Sequence, residues 1–168
     1  AGSLALTAWG GPKRLIHGML GGAALSFFFG DLLLAFGRNA WVWSLGGFLG
    51  AAFIPPILAA NRALWQAKTP HDLQGRVFSA QGTLRLAFMP FGYLVAGPLA
   101  DRVFEPAMRA GGALTSAFGG LVGPGPGAGI ALMFVAAGVL GTLGSLAGYA
   151  LRAVRQVQES IPDAEGAE

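Results

Sequence analysis

The sequence predicts an all-α integral membrane protein, and three observations lead to that class. The chain has 168 residues, of which 54% are hydrophobic and only 11% charged, against about 25% charged residues in ordinary soluble domains. So little charge cannot cover a soluble fold with a polar shell, and a disordered chain would be poor in apolar residues. Four apolar stretches are each long enough to cross a bilayer core of about 30 Å, which takes roughly 20 helical residues.

The four full transmembrane helices are predicted at about residues 15–36, 40–64, 77–100 and 128–151. The run "IALMFVAAGVLGTLGSLAGYAL" is continuously apolar, whereas the strands of a membrane barrel alternate apolar and polar residues. The segment "AGSLALTAW" is too short to span and is interpreted as the end of a partial N-terminal helix. We therefore divide the chain into a partial transmembrane bundle, residues 1–155, and a polar tail, residues 156–168.

The connections predict how these helices follow one another. "GRN" between the first and second spans is so short that the two form a tight antiparallel hairpin. "QAKTPHDLQGR" reads as a basic linker between the second and third spans, and "GPGPG" ahead of the fourth cannot be helical.

The lysines and arginines predict the orientation, because cytoplasmic loops carry an excess of them. One end of the bundle receives Lys13, Arg14, Arg62, Lys68, Arg76, Arg152 and Arg155, and the other receives Arg38, Arg102 and Arg109. This asymmetry places the basic linker and the C-terminus in the cytoplasm.

Polar residues inside the spans are the candidates for a transport pathway. Asp31 in "FFFGDLLLAF" is interpreted as a proton- or cation-coupling carboxylate, the alternative being a carboxylate that reaches the outer headgroups or stays protonated. Arg85, with Gln81 one turn earlier on the same helical face, is a candidate for binding an anionic group, or else extends to the cytoplasmic headgroups. Asn61, in the second span, joins this set.

Prolines and glycines indicate how the helices bend and meet. Pro55 and Pro56 in the second span and Pro90 in the third are predicted kinks, either moving or static, since each lacks a backbone N–H. Small-xxx-small pairs, such as Gly46 with Gly50, are typical of closely packed membrane helices.

The basic loops are interpreted as a cytoplasmic gate, or alternatively as signals for topology alone. The residues in question are Lys13, Arg14, Asp72, Gly75 and Arg76. Thr69 and Pro70 are expected to break the preceding helix. Asp72 would cap the next helix, and Gly75 would allow a neighbouring helix to approach closely.

Several functions have no support in the sequence. The chain has no cysteine, no paired ligands around its two histidines, no phosphate-binding glycine loop and no acid–base or nucleophile pair. We therefore expect no enzyme, no cofactor and no metal site. The formal charge of +3 is scattered between apolar runs, so nucleic acid is not an expected partner.

Four segments of the chain carry a family resemblance: "WGGPKRLIHGMLGG", "RALWQAKTPHDLQGRVFSAQ", "MPFGYLVAGPLADRVFEPAM" and "GPGAGIALMFVAAG". They resemble the C-terminal half of bacterial major facilitator superfamily exporters, in the branch with enterobactin-exporter-like and macrolide-efflux-like proteins. The resemblance implies a twelve-helix fold of two six-helix bundles with both termini cytoplasmic. The partial helix would then be the end of the eighth helix, and the four spans the ninth to twelfth, within the C-terminal six-helix bundle.

The function implied by that resemblance is proton-driven efflux of a small organic molecule, such as a siderophore, a drug or a peptide natural product. The implied partners are the lipid bilayer, the small organic substrate, protons and the missing N-terminal bundle, in a bacterial inner membrane. The alternative is a non-transporting membrane remnant or anchor module.

Overall fold

A computed structural model describes residues 14–123 and 125–164 of the chain. The predicted partial helix at residues 1–9 and the gate candidate Lys13 lie outside this described part. The membrane-length helices are α1 (Leu15–Phe36), α2 (Ala40–Lys68), α3 (His71–Met108) and α5 (Ala128–Ala150), and the short ones are α4 (Thr115–Val122), α6 (Arg152–Arg155) and α7 (Val157–Ser160). No strand occurs among the described residues, and four of the helices are long and apolar enough to cross a membrane, so the prediction is confirmed at the level of fold class.

The tight hairpin between α1 and α2 is confirmed. Only residues 37–39 separate the two helices, and Asn39 caps α2 by accepting a hydrogen bond from the backbone N–H of Val42 at 2.9 Å. The Trp43 indole Nε1–H donates back to the carbonyl oxygen of Gly37 at 3.0 Å. The turn is therefore held from both of its sides.

The linker predicted between the second and third spans is reduced to Thr69 and Pro70. Helix α2 runs on to Lys68 and α3 begins at His71, with Thr69 extended between them (φ −116°, ψ 125°). The predicted end of the second helix at residue 64 and the predicted start of the third at residue 77 were wrong. Polar residues mark the end of the apolar span in the sequence, but they do not end the helix. Gln, Lys, Leu and Arg are good helix formers.

Helix α3 is also longer than predicted at its far end, where it continues past residue 100 to Met108. Its 38 residues correspond to a length of about 57 Å at 1.5 Å per residue, well beyond a bilayer core of about 30 Å. Its polar ends, "HDLQGR" and "DRVFEP", therefore extend beyond the apolar core.

The prolines lie within continuous helices. Pro55 and Pro56 are inside α2, and Pro90 is inside α3, with helical residues on both sides of each. The helices are thus not interrupted at these positions, and a bend at each proline stays a prediction.

Helix α1 packs between α2 and α5, and glycines set its distance from α2. A Cβ on Gly30 would lie 2.8 Å from the Cα of Gly50, and a Cβ on Gly46 would lie 3.1 Å from the carbonyl oxygen of Gly30. The Ser26 hydroxyl donates to the carbonyl oxygen of Gly50 at 3.0 Å across the same contact. The close approach predicted from the Gly46–Gly50 pair is confirmed.

Two π-helical turns interrupt the regular α-helical pattern, one at Ser26–Asp31 in α1 and the other at Ala100–Phe104 in α3. Both pack against α5. At the second, α3 comes so close that a Cβ on Gly129 would collide with the backbone of Glu105. The Glu105 carboxylate accepts a hydrogen bond from the N–H of Ile130, in the first turn of α5, at 3.3 Å.

Most of α3 stands apart from the other described helices. Residues 71–99 include none that is buried, and this stretch packs mainly against its own continuation. Only the end of α3 joins the small core, which is formed by Met108, Val122, Ala128 and Leu132. Among the described elements, α1, α2 and α5 therefore form the packed body, with α3 attached at one end.

Candidate functional site

Asp31 lies at the last position of the π-helical turn of α1, half-buried against α5. A Cβ on Gly138 of α5 would be 3.2 Å from the Cβ of Asp31, so the two helices touch at this carboxylate. The carboxylate of Asp31 makes no hydrogen bond or ion pair with another described residue. The structure thus places this carboxylate between two membrane-length helices without a protein partner in the part described.

Helix α5 carries a second polar group, Thr142, that the sequence analysis missed. It follows Gly138 by one turn on the same face of α5, and its hydroxyl oxygen is buried without a hydrogen-bond partner among the described residues. Buried hydroxyls are normally satisfied, and nearby Ser145 does bond back to the carbonyl oxygen of Gly141 at 2.8 Å. A threonine four residues after a packing glycine in an apolar helix was the available signal.

Gln81 and Arg85 share a face of α3 one turn apart, as predicted. Gln81 is half-buried and Arg85 exposed, and neither side chain makes a hydrogen bond or ion pair with a described residue. Because residues 71–99 do not pack against α1, this polar face does not meet Asp31. Asn61 is half-buried on α2, next to Ala60, and likewise lies on another helix. The four pathway candidates are therefore not brought together into one cluster.

Most of the gate candidates at the basic end are exposed and lack the contacts expected of them. Asp72 lies in the first turn of α3, where its charge suits the helix dipole, but it makes no capping hydrogen bond, because Pro70 occupies the N-cap position. No described atom lies within 4 Å of a Cβ on Gly75, so the predicted close helix contact is absent there. Arg76 is exposed. Only the helix break at Thr69 and Pro70 is formed as expected.

Lys68 is the best-held cation at this end, and the sequence analysis did not single it out. Its ammonium group donates to the carbonyl oxygens of Gln158, at 2.7 Å, and of Ile161, and lies 2.8 Å from the carboxylate of Asp163. Its side chain is only 11% exposed. Polar residues 157–163 thus fold back over the end of α2, and we call these contacts the Lys68 clasp.

The start of α1 joins the same arrangement. The backbone N–H of Leu15 donates to the side-chain oxygen of Gln158 at 3.0 Å, and Arg14 pairs with Glu159 at 3.4 Å. That ion pair is exposed on both sides, so it contributes little by itself. His17 stacks on Tyr149 with the ring centroids 5.4 Å apart. Lys68, Arg14 and the segment after α5 therefore lie at one end of the bundle.

The described ranges contain no cluster of side chains suited to bind a metal ion. No group of three His, Asp or Glu side chains there is arranged to hold an ion.

Fold and site together define the class: a multi-pass helical membrane protein with isolated polar side chains within its spans. No protein-family model, no curated protein and no solved structure matches the chain. Membership of the major facilitator superfamily therefore stays a prediction from the quoted motifs.

Proposed function

We propose that this chain is part of a secondary active transporter that exports a small organic molecule across a bacterial inner membrane, driven by protons. The observation that carries the proposal is Asp31. It is a carboxylate inside a membrane-length helix, at a helix–helix contact, with no described partner. Ionisable residues in such positions are rare and are by default candidates for ion pathways.

The surroundings of Asp31 suit a carboxylate that gains and loses a proton. A charge at the centre of a bilayer costs about 2.5–3.5 kcal/mol on insertion scales, and part of that cost applies to Asp31, which lies five residues before the end of α1. Proton binding therefore changes the free energy of the α1–α5 contact. The π-helical turn that ends at Asp31 is a local irregularity of a kind found frequently at functional sites. Protonation would thereby favour one arrangement of α1 against α5 over another.

Arg85 and Gln81 are proposed to face the substrate or a helix of the N-terminal bundle that the resemblance implies. They lie on the part of α3 that no other described helix covers. An arginine at this depth needs an anion, a polar partner or the headgroups.

The experiment compares Asp31→Asn with Asp31→Glu in the protein that carries this chain, expressed in efflux-deficient bacteria. We expect the unchanged protein to export fluorescent drugs or siderophores, and we expect this export to stop when a protonophore is added. Asp31→Asn should abolish it, and Asp31→Glu should retain part of it. Asp101→Asn, at an exposed position in α3, is the control and should export normally. Expression without gradient-dependent export would contradict transport and favour the anchor module.

The gate proposed at the basic end has its own test in Arg76→Lys. The change keeps the positive charge and hence the topology, but loses the planar fork of the guanidinium. A gate predicts slower export and altered access of labels to the inner face, whereas Arg152→Lys, in α6, should change neither. Normal export and normal access in Arg76→Lys would leave a role in topology only.

A further inference from the structure

A cavity of about 470 Å³ lies at the end of the bundle opposite the Lys68 clasp. The end of α1, the end of α4 and the first turns of α5 form its walls. These walls are largely apolar and include Leu34, Ala35, Val122, Ala128, Ala131 and Phe134. Its volume falls in the range of small-molecule sites, about 300–1,000 Å³.

Arg38 is the single ionisable side chain among the described residues that line this cavity. Its guanidinium lies directly over Gly123, where a Cβ would be 3.2 Å from Nη1 and 3.3 Å from Nη2. Gly123 has a φ of +83°, which favours glycine and keeps the space under the guanidinium free of a side chain. The guanidinium of Arg38 makes no hydrogen bond or ion pair with another described residue.

Trp43 completes the wall beside Arg38. Its indole lies against Gly37, so closely that a Cβ there would be 2.5 Å from the ring carbon Cδ1. The hydrogen bond from its Nε1–H to the carbonyl oxygen of Gly37 keeps the ring in this position. The cavity thus has a rigid aromatic edge next to its cation, at the ends of membrane-length helices, where lipid headgroups and tryptophans meet.

We propose that this cavity binds the headgroup of an anionic phospholipid. The Arg38 guanidinium takes the phosphate, for which its fork of donors is well matched, and the upper acyl chains lie along the apolar walls. None of the described lining residues is acidic, so the ammonium of a zwitterionic headgroup has no counter-charge here. A free phosphate ion would leave the apolar walls unused.

The test uses quenching of tryptophan fluorescence by brominated lipids, with the full chain in non-ionic detergent micelles. Brominated phosphatidylglycerol should quench at several-fold lower concentration than brominated phosphatidylcholine. The excess should vanish in Trp43→Phe, which leaves the other tryptophans in place. Arg38→Gln should raise the concentration of anionic lipid required by about tenfold or more, as expected for loss of a charged hydrogen bond.

Arg102→Gln is the matched control, because Arg102 is an exposed cation at the same end that does not line this cavity. Equal quenching by the two lipids, or equal losses in Arg38→Gln and Arg102→Gln, would overturn the proposal. Displacement by inorganic phosphate at lipid-like concentrations would assign the cavity to a free anion and also overturn it.

Ala131→Leu is the second variant, since it narrows the cavity and leaves Arg38 unchanged. Weaker binding of the anionic lipid supports contact with the apolar wall, and undiminished binding contradicts it. Circular dichroism of each variant checks that the helices are intact. The readout is binding alone, so it does not depend on whether the protein transports.

Discussion

Single glycines determine how closely α1 and α2 approach. At Gly30 an added Cβ would lie 2.8 Å from the backbone of α2, whereas at Gly47 it would meet no described atom within 4 Å. We expect Gly30→Ala to destabilise the fold by about 1–3 kcal/mol through overpacking. Gly47→Ala, at an open helical position, should be neutral or stabilising by up to about 1 kcal/mol. Unfolding in SDS-titrated micelles measures both.

Equal stability of these two variants would contradict the close backbone contact at Gly30. The comparison is sharp because both changes add the same methyl group to a helical glycine. They differ in what the new Cβ meets.

Residue identity alone predicted part of the candidate site. Asp31 was evident from the sequence because a carboxylate among apolar neighbours is conspicuous whatever it contacts. The contact with Gly138 and the unsatisfied hydroxyl of Thr142 depend on how α1 and α5 are rotated against each other. A single apolar sequence does not specify that rotation, so these features required the structure.

At the scale of elements, the Lys68 clasp connects helix α7 and the residues after it to the end of α2. We expect Lys68→Gln to release residues 157–163, because the ammonium group contacts two carbonyl oxygens and one carboxylate there. Loss of hydrogen bonds to a charged group corresponds to about tenfold faster amide exchange or more. Hydrogen–deuterium exchange by mass spectrometry measures it peptide by peptide.

Arg152→Gln is the control for the clasp, since Arg152 is an exposed cation in α6 that bonds to no residue of α7. Exchange in residues 157–163 should be unchanged in this variant. Equal acceleration in both variants would show that net charge, rather than the clasp, holds the segment.

The helices themselves were predicted with uneven success, for a physical reason. The apolar length of a span is visible in the sequence, so α1 and α5 began and ended where expected. The ends of α2 and α3 were missed because polar helix formers continue the helix outside the membrane. The clasp was missed because its partners lie 90 residues apart in the chain, and no local pattern links Lys68 to Gln158.

At the scale of the whole molecule, the distribution of lysine and arginine predicts which end faces the cytoplasm. The natural chain has no cysteine, so single cysteines can be introduced without background. Ser116→Cys in α4 and Gln156→Cys near the clasp are both exposed and lie at opposite ends. We expect a membrane-impermeant maleimide to label position 116 in intact cells, and position 156 only after the membrane is opened.

The reverse labelling pattern would invert the proposed orientation. Labelling of both positions in intact cells would contradict a span between them. Either result leaves the helices unchanged, because the packing of α1, α2 and α5 does not depend on which end faces the cytoplasm.

The clasp also has a consequence for the order in which the protein is completed during synthesis. Lys68 leaves the ribosome 90 residues before Gln158, its first acceptor in the clasp. At translation rates of about 5–20 residues per second, this gap lasts roughly 5 to 20 s. During that interval the hairpin of α1 and α2 is already available for membrane insertion. The ammonium group of Lys68 at its end still lacks its partners in the clasp. This end of the hairpin therefore gains its clasp contacts only after α5 has been synthesised, so these contacts are among the last of the bundle to form.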